Sequence, residues 1–222
     1  MPTDLESKFI HETLLQTPKE FIDQSEQYQE LMMTYFGAMR EVQTKLEILN
    51  DEFQVVKRRN PIEMIKVRLK KTDSILEKLS RIGLEKTLEN IKQIADIAGV
   101  RVVCTYFDDI YELANMLVKQ DDVRLIQIKD YIKKPKANGY RSLHLVIELP
   151  VYFSTKKRMM RVEVQIRTIA MDFWASLEHD MKYKNRHHIN PKLKEELKEC
   201  AEVIADTDKR MQKIKAELDL LG

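Results

Sequence analysis

The residues best suited to chemistry lie in Arg161–Thr168, RVEVQIRT. Val162, Val164 and Ile166 alternate with Arg161, Glu163, Gln165 and Arg167, so a strand here buries one face and presents Arg-Glu-Gln-Arg on the other. Upstream, Ser142-Leu-His144-Leu-Val-Ile-Glu148-Leu repeats the period of two, and before it stands Lys136-Ala-Asn-Gly-Tyr140-Arg141, a basic loop with a turn dipeptide. Two neighbouring strands and a cationic loop around one carboxylate suit a metal ion and a polyphosphate.

Asp96 precedes another predicted strand, and in one sheet Asp96 and Glu163 would converge on a single cation. Magnesium is the natural choice, a hard ion held by one or two carboxylates and by substrate phosphates. Either acid taken alone reads first as a surface or capping carboxylate. Glu163 stands apart because Gln165 and two arginines share its face. The basic residues form two groups, one of Arg68, Lys70, Lys78 and Arg101 and one of Lys129, Lys136, Arg141, Arg161 and Arg167. On a helix, Lys70, Ser74 and Lys78 would make a cationic stripe with a hydroxyl at its centre, although such a stripe is also an ordinary solvated face. Arginine clamps phosphate bidentately or lies flat on a purine, and lysine supplies a mobile charge. Tyr140, beside Asn138-Gly139, is either a base-stacking ring or a strand-edge aromatic. His144 shares a strand face with Ser142 and reads first as a hydrogen-bonded sheet histidine. His179-Asp180 lacks the second His or acidic pair that a metal-dependent hydrolase needs, and His187-His188 falls in a polar loop with no assigned role.

The elements that would hold these residues follow from periodicity. Met1–Pro18 is a short helix or a loose arm. Tyr35, Met39, Val42, Leu46, Leu49, Phe53 and Val56 step by four and three, the seam of a long helix ending before Asn60-Pro61. Pro61 then opens a second helix to Arg81, with Ile62, Ile65, Leu69, Thr72, Leu76 and Leu79 along one side. A short helical segment follows Gly83. Strands are expected in the second half of Ile94–Phe107, at Val123–Ile132, at Ser142–Leu149 and at Arg161–Thr168, with Pro150 closing the third and Lys156-Lys157 in a hairpin loop. Asp108-Asp109 caps a helix running to about Lys119. Ile169 to about Tyr183 is helical, holding Phe173, Trp174 and Leu177 together. Asn190-Pro191 opens the last helix, whose seam runs Leu193, Leu197, Cys200, Ile204, Thr207, Met211, Ile214, Leu218 and Leu221. The fold class is α+β, a sheet with helices packed on one face rather than a doubly wound βαβ fold. The terminal seams are free to pack on each other, on the sheet or across a subunit boundary.

With 222 residues, 43% of them hydrophobic, the chain can build a substantial core. Charged residues make up 33% yet sum to only +2, which disfavours wholesale nucleic-acid binding and leaves room for a local basic cluster. Two cysteines, Cys104 and Cys200, read as buried thiols and argue against a disulfide framework or a zinc site. No signal peptide and no long apolar run is seen, so a soluble, cytoplasmic protein is expected. No internal repeat or convincing domain boundary is present.

Five motifs resemble the RelA/SpoT synthetase domain: Arg68 to Lys78 (RLKKTDSILEK), Asp96 to Arg101 (DIAGVR), Lys136 to His144 (KANGYRSLH), Glu163 to Thr168 (EVQIRT) and Met171 to His179 (MDFWASLEH). They stand in family order over about Pro61–Tyr183. The resemblance is to the small stand-alone alarmone synthetases, most like the RelQ type. It implies a nucleotidyltransferase-like mixed β-sheet flanked by helices, as a core at 61–185 between a helical extension at 1–60 and a C-terminal amphipathic helix at 186–222. It also implies the reaction of the stringent response, transfer of the β,γ-pyrophosphate of ATP to the 3′-hydroxyl of GTP or GDP, giving pppGpp or ppGpp and AMP. Carried over by motif, Arg68 and Arg101 would sandwich adenine while Lys70, Ser74 and Lys78 hold the ATP phosphates. Asp96 and Glu163 would bind Mg²⁺, with Glu163 also activating the 3′-hydroxyl. Tyr140 would stack on guanine, with Lys136, His144 and Gln165 on the acceptor nucleotide. Asp172, Lys129 and Arg141 complete the acceptor set, the last two as phosphate contacts. The resemblance further implies a homotetramer whose central cleft takes an alarmone effector, although Gln43, Glu47 and Asn50 of the first helix stand where basic residues would suit a tetraphosphate better. Two other functions stay open: the same donor chemistry on a tRNA 3′ end or an adenosine nucleotide, and a non-catalytic nucleotide- or RNA-binding regulator. The Lys136–His144 motif favours guanine, the near-neutral charge disfavours RNA, and the presence of both Asp96 and Glu163 weighs against a pure binder.

Overall fold

A computed structural model describes residues 25–184 and 190–221. The arm expected at Met1–Pro18 and the loop with His187-His188 lie outside the described residues. The chain begins with a long helix, α1 (Ser25–Lys57), whose seam is buried from Tyr28 to Phe53 and runs out to solvent at Val56. Arg58, with φ of 53°, takes the left-handed conformation that ends it.

The next element corrects the expected helix at Pro61–Arg81. Ile62–Leu69 is strand β1, and a shorter helix, α2, occupies Thr72–Arg81. Ile62, Ile65, Leu69, Thr72, Leu76 and Leu79 fit helical spacing throughout, which conceals the break. The side chains themselves decide it: Ile62, Ile65 and Val67 are β-branched, and Lys71 before the helix has extended backbone. A single turn, α3 (Leu88–Ile91), leads to β2 (Ala98–Cys104) and helix α4 (Phe107–Val118). Tyr106 takes the N-cap position of α4, and Asp109 accepts from its backbone N–H at 3.2 Å. The acid therefore caps from inside the helix.

Strands β3 (Arg124–Asp130), β4 (Leu143–Tyr152) and β5 (Lys157–Thr168) complete a five-stranded mixed sheet in the order β1-β2-β5-β4-β3. Only the β2–β5 pair is parallel. β4 runs through Pro150, which was expected to end it. The pairing with β3 reaches only to Glu148, so the missing N–H of Pro150 falls on a side with no strand to receive it. Helix α5 (Ile169–Lys184) follows β5 directly, and α6 (Pro191–Asp219) begins at Asn190, whose side chain accepts from the Lys192 N–H.

Val162, Val164 and Ile166 of β5 join Val100, Val102, Leu145 and Ile147 in one core, which α1 and α4 cover. α5 lies against β5 and β2 and lends residues to a cleft on the other face, so the helices are not confined to one side. Within α5 Trp174 is buried while Phe173 and Leu177 are exposed, so these three do not form one cluster. α6 packs on α5 and α4 through Ala201, Ile204, Asp208 and Gln212, leaving Leu193, Met211, Ile214, Leu218 and Leu221 of its seam exposed. Cys104 is buried and its thiol pKa raised by that burial, whereas Cys200 is exposed. No described helix is long and apolar enough to cross a membrane.

Candidate active site

Strand register assembles the site. Across the face opposite the core, one row reads Lys66, Arg101, Gln165, His144 and Lys129, and the next reads Arg68, Gly99, Glu163 and Val146. Residues from all five strands thus stand side by side because alternation sends odd-numbered residues of β2 and β5 to the same face. A cleft of about 670 Å³ covers these rows, bounded by Arg68, Lys70, Asp96, Arg101, Glu163 and Gln165 and, opposite them, by Ser176, Glu178 and His179 of α5.

At the cleft floor five side chains close a hydrogen-bonded ring. Arg167 donates to the Tyr140 hydroxyl at 2.5 Å and to Gln165 Oε1 at 2.9 Å. Gln165 Nε2 donates to Glu163 Oε2 at 2.8 Å. The Tyr140 hydroxyl lies 2.9 Å from His144 Nε2, and His144 Nδ1 lies 3.3 Å from Glu163 Oε1. Since Arg167 can only donate, the consistent arrangement has the Tyr140 hydroxyl donating to Nε2 and Nδ1–H donating to Glu163. Both arms of the ring end on the Glu163 carboxylate. Burial alone would raise its pKa, but the contacts from His144 and Gln165 outweigh that and the opposing charge of Asp96, leaving it lowered.

Asp96 is held by two lysines, Lys70 Nζ at 2.8 Å and Lys78 Nζ at 2.7 Å. Its pKa is lowered: desolvation pushes upward, and the two lysines overcome it. Lys70 lies in the turn between β1 and α2 and Lys78 on α2, so the pair survives the correction of that helix, with Ser74 half-buried one turn before Lys78. Among the described residues no cluster of three or more His, Cys, Asp or Glu forms a metal cage. A site of two carboxylates leaves the other positions of a hard cation to phosphate and water, the donor set that suits Mg²⁺.

The acceptor-side candidates divide. The Lys136 ammonium lies 4.7 Å from the ring centre of Tyr140 and 4.6 Å from that of Tyr131. Tyr131 also meets His144 edge-on at 5.1 Å between centroids and belongs to this cluster, a role that no spacing in the sequence announced. Arg141 turns away from the cleft and donates to the backbone carbonyls of Gly139 at 2.9 Å and Ala201 at 3.2 Å, fastening the loop to α6. Lys129 is exposed on edge strand β3, aligned with His144 but outside the ring. Asp172 is engaged by Arg167 at 3.1 Å and Arg101 at 3.4 Å. Arg161 pairs with Glu148 at 3.3 Å, away from the cleft. Lys66, Ser176 and His179 also line the cleft, and helical spacing over Pro61–Arg81 conceals the strand that brings Lys66 there. In the first helix Gln43 donates to Glu47 at 2.8 Å, and Asn50 accepts from the Ile62 N–H at 3.2 Å.

Comparison with known proteins agrees with this geometry. The family described as "Region found in RelA / SpoT proteins" matches residues 67–188. The GTP pyrophosphokinase YwaC of Bacillus subtilis is 45% identical over 87% of this chain and 93% of its own length. The GTP pyrophosphokinase YjbM of the same organism is 35% identical over 86% of this chain and 90% of its own. The crystal structure of B. subtilis small alarmone synthetase 2 superposes with a TM-score of 0.79 at 43% identity, covering 86% of this chain and 98% of that one. That of small alarmone synthetase 1 bound to its product pppGpp gives a TM-score of 0.80 at 35% identity over 86% and 97%. With its five motifs gathered around one cleft, the chain belongs to the RelA/SpoT family.

Proposed function

We propose that this protein is a (p)ppGpp synthetase, transferring the β,γ-pyrophosphate of ATP to the 3′-hydroxyl of GTP or GDP and releasing AMP. The observation that carries it is the carboxylate of Glu163, half-buried and ionised at the meeting of a cation-lined cleft and an aromatic, histidine-bearing pocket. The 3′-oxygen attacks the β-phosphorus, the bond from that phosphorus to the oxygen of AMP breaks, and the hydroxyl proton passes to Glu163. Two anionic nucleotides must be held in line for this, so positioning and positive charge supply most of the rate.

Arg68 and Arg101, projecting from β1 and β2, suit the adenine, and Lys70 and Lys78 the phosphates of ATP. Tyr140 offers its ring to guanine, whose arrival displaces the Lys136 ammonium toward the acceptor phosphates. Asp96 and Glu163 would hold Mg²⁺, which when bound offsets the charge gathering on the phosphates. The names of the relatives, GTP pyrophosphokinases and a synthetase crystallised with pppGpp, support the same choice of acceptor. Ile169, Phe173, Leu177 and Met181 form an exposed apolar stripe on α5 at steps of four, which supports self-association, and a tetramer of a cytoplasmic enzyme is the reading carried from the family. The Gln43–Glu47 pair on α1 offers an alarmone effector an amide and a carboxylate at that position rather than a cation of its own.

The test is incubation with γ-labelled ATP and Mg²⁺ and, separately, GTP, GDP, GMP, no acceptor, or deacylated tRNA. Label on a guanosine nucleotide with release of AMP is expected. Label only on tRNA or an adenosine nucleotide would overturn the acceptor assignment, and no transfer at all would overturn the enzyme.

A further inference from the structure

Asp172 sits in the first turn of α5, where the helix favours negative charge, and its side chain is only 12% exposed. One of its oxygens, Oδ1, receives two guanidinium groups, Arg167 NH1 at 3.1 Å and Arg101 NH1 at 3.4 Å. Arg101 lines the cleft beside Arg68, on the side fit for ATP. Arg167 is buried, and its other nitrogens hold the Tyr140 hydroxyl, Gln165 Oε1 and, at 3.4 Å, Ser142 Oγ. Burial, and after it the like charge of Arg167, holds the pKa of Arg101 down, and the carboxylate of Asp172 opposes both. Asp172 is therefore the common anion that keeps two like charges in one place, one reaching into the donor cleft and the other fixing the acceptor ring.

We propose that Asp172 is a positioning residue that couples the two nucleotide sites through Arg101 and Arg167, rather than a ligand of the acceptor. This rests on the two-substrate reading above. A guanine nucleotide on Tyr140 and Gln165 fixes Arg167, which fixes Asp172 and with it the guanidinium plane of Arg101. ATP then meets an arginine already ordered and loses less side-chain freedom on binding. Coupling of this kind is reciprocal, so ATP must tighten the guanine nucleotide by the same factor.

Calorimetric titration measures it without turnover, using α,β-methylene-ATP, whose bridging carbon blocks transfer, and GDP. In the wild type, saturating GDP is expected to lower the Kd of the ATP analogue about threefold to tenfold, and the analogue to lower the Kd of GDP equally. Asp172→Ala is expected to bring that ratio to one. Asp172→Asn, of the same shape without the charge, is expected to reduce it, with some loss of melting temperature from the two guanidinium groups left without their anion, and it decides the matter where the alanine variant does not fold. A wild-type ratio of one, or an unchanged ratio in Asp172→Asn, would overturn the coupling. A wild type that binds neither nucleotide would overturn the two-substrate reading itself.

Discussion

Gly139 packs so closely on Ala201 of α6 that a Cβ added to it would stand 2.6 Å from the Ala201 Cβ. Its φ of 88° also lies in the region that favours glycine. The loop that carries Lys136 and Tyr140 is thus seated on the last helix, and Asn138 donating to Glu178 at 2.9 Å holds it to α5 as well. Gly139→Ala is expected to cost roughly 2–4 kcal/mol of stability by backbone strain and overpacking. It should also raise the KM for the guanine nucleotide more than that for ATP. Adding Ala201→Gly relieves the collision but not the φ, so a partial rescue of both is expected by chemical denaturation and kinetics. A fully additive pair would mean that the two residues do not meet.

Glu163→Gln keeps the shape of the side chain and removes the proton acceptor. Its new amide group would also face the donors that His144 and Gln165 now direct at the carboxylate. Transfer is expected to fall by about 10²–10⁴-fold, the usual range for loss of a general base, with the fold intact. Near wild-type turnover would remove Glu163 from the mechanism.

How far the site could be read in the sequence depended on the range of the signal. Glu163, Gln165 and Arg167 were legible because strand alternation fixes their common face locally, and Ile166 and Val164 between them are fully buried. The partnership of Asp96 with Lys70 and Lys78 crosses 26 and 18 residues of chain, so it emerged only on folding. β1 was misread because an edge strand with one packed face does not need strict alternation: Lys66, Val67 and Arg68 are all exposed, while Ile62 and Leu69, seven apart, satisfy a helix equally well. The roles of Tyr131 and Arg141 follow from contacts with a ring and with backbone carbonyls, which residue type does not encode.

Lys78 is poised between an acid and a substrate. Its bond to Asp96 is part-solvated, with side-chain exposures of 23% and 26%, so Lys78→Met is expected to change stability by less than about 1 kcal/mol. A charged contact to phosphate is worth about 1.5–3 kcal/mol, so kcat/KM for ATP should fall roughly tenfold to a hundredfold. Binding of GDP alone should be unaffected. Equal losses for both nucleotides would assign Lys78 a structural role.

Asp208 on α6 is a buried acid that the chemistry does not use. It accepts from Thr168 Oγ1 at 2.6 Å, and burial raises its pKa against that hydrogen bond. Between the ordinary carboxylate value and the raised folded value, the folded protein binds more protons than the unfolded chain. Stability therefore declines as pH rises through that window and stays reduced above it. Asp208→Asn can still accept from Thr168 and carries no charge to desolvate. At pH 7.5 it is expected to stabilise the protein by on the order of 1 kcal/mol in urea denaturation, with the gain shrinking as the pH is lowered toward 4. A gain independent of pH, or a destabilised variant, would show that the ionised carboxylate is not what costs stability at the junction of α6 with the end of β5.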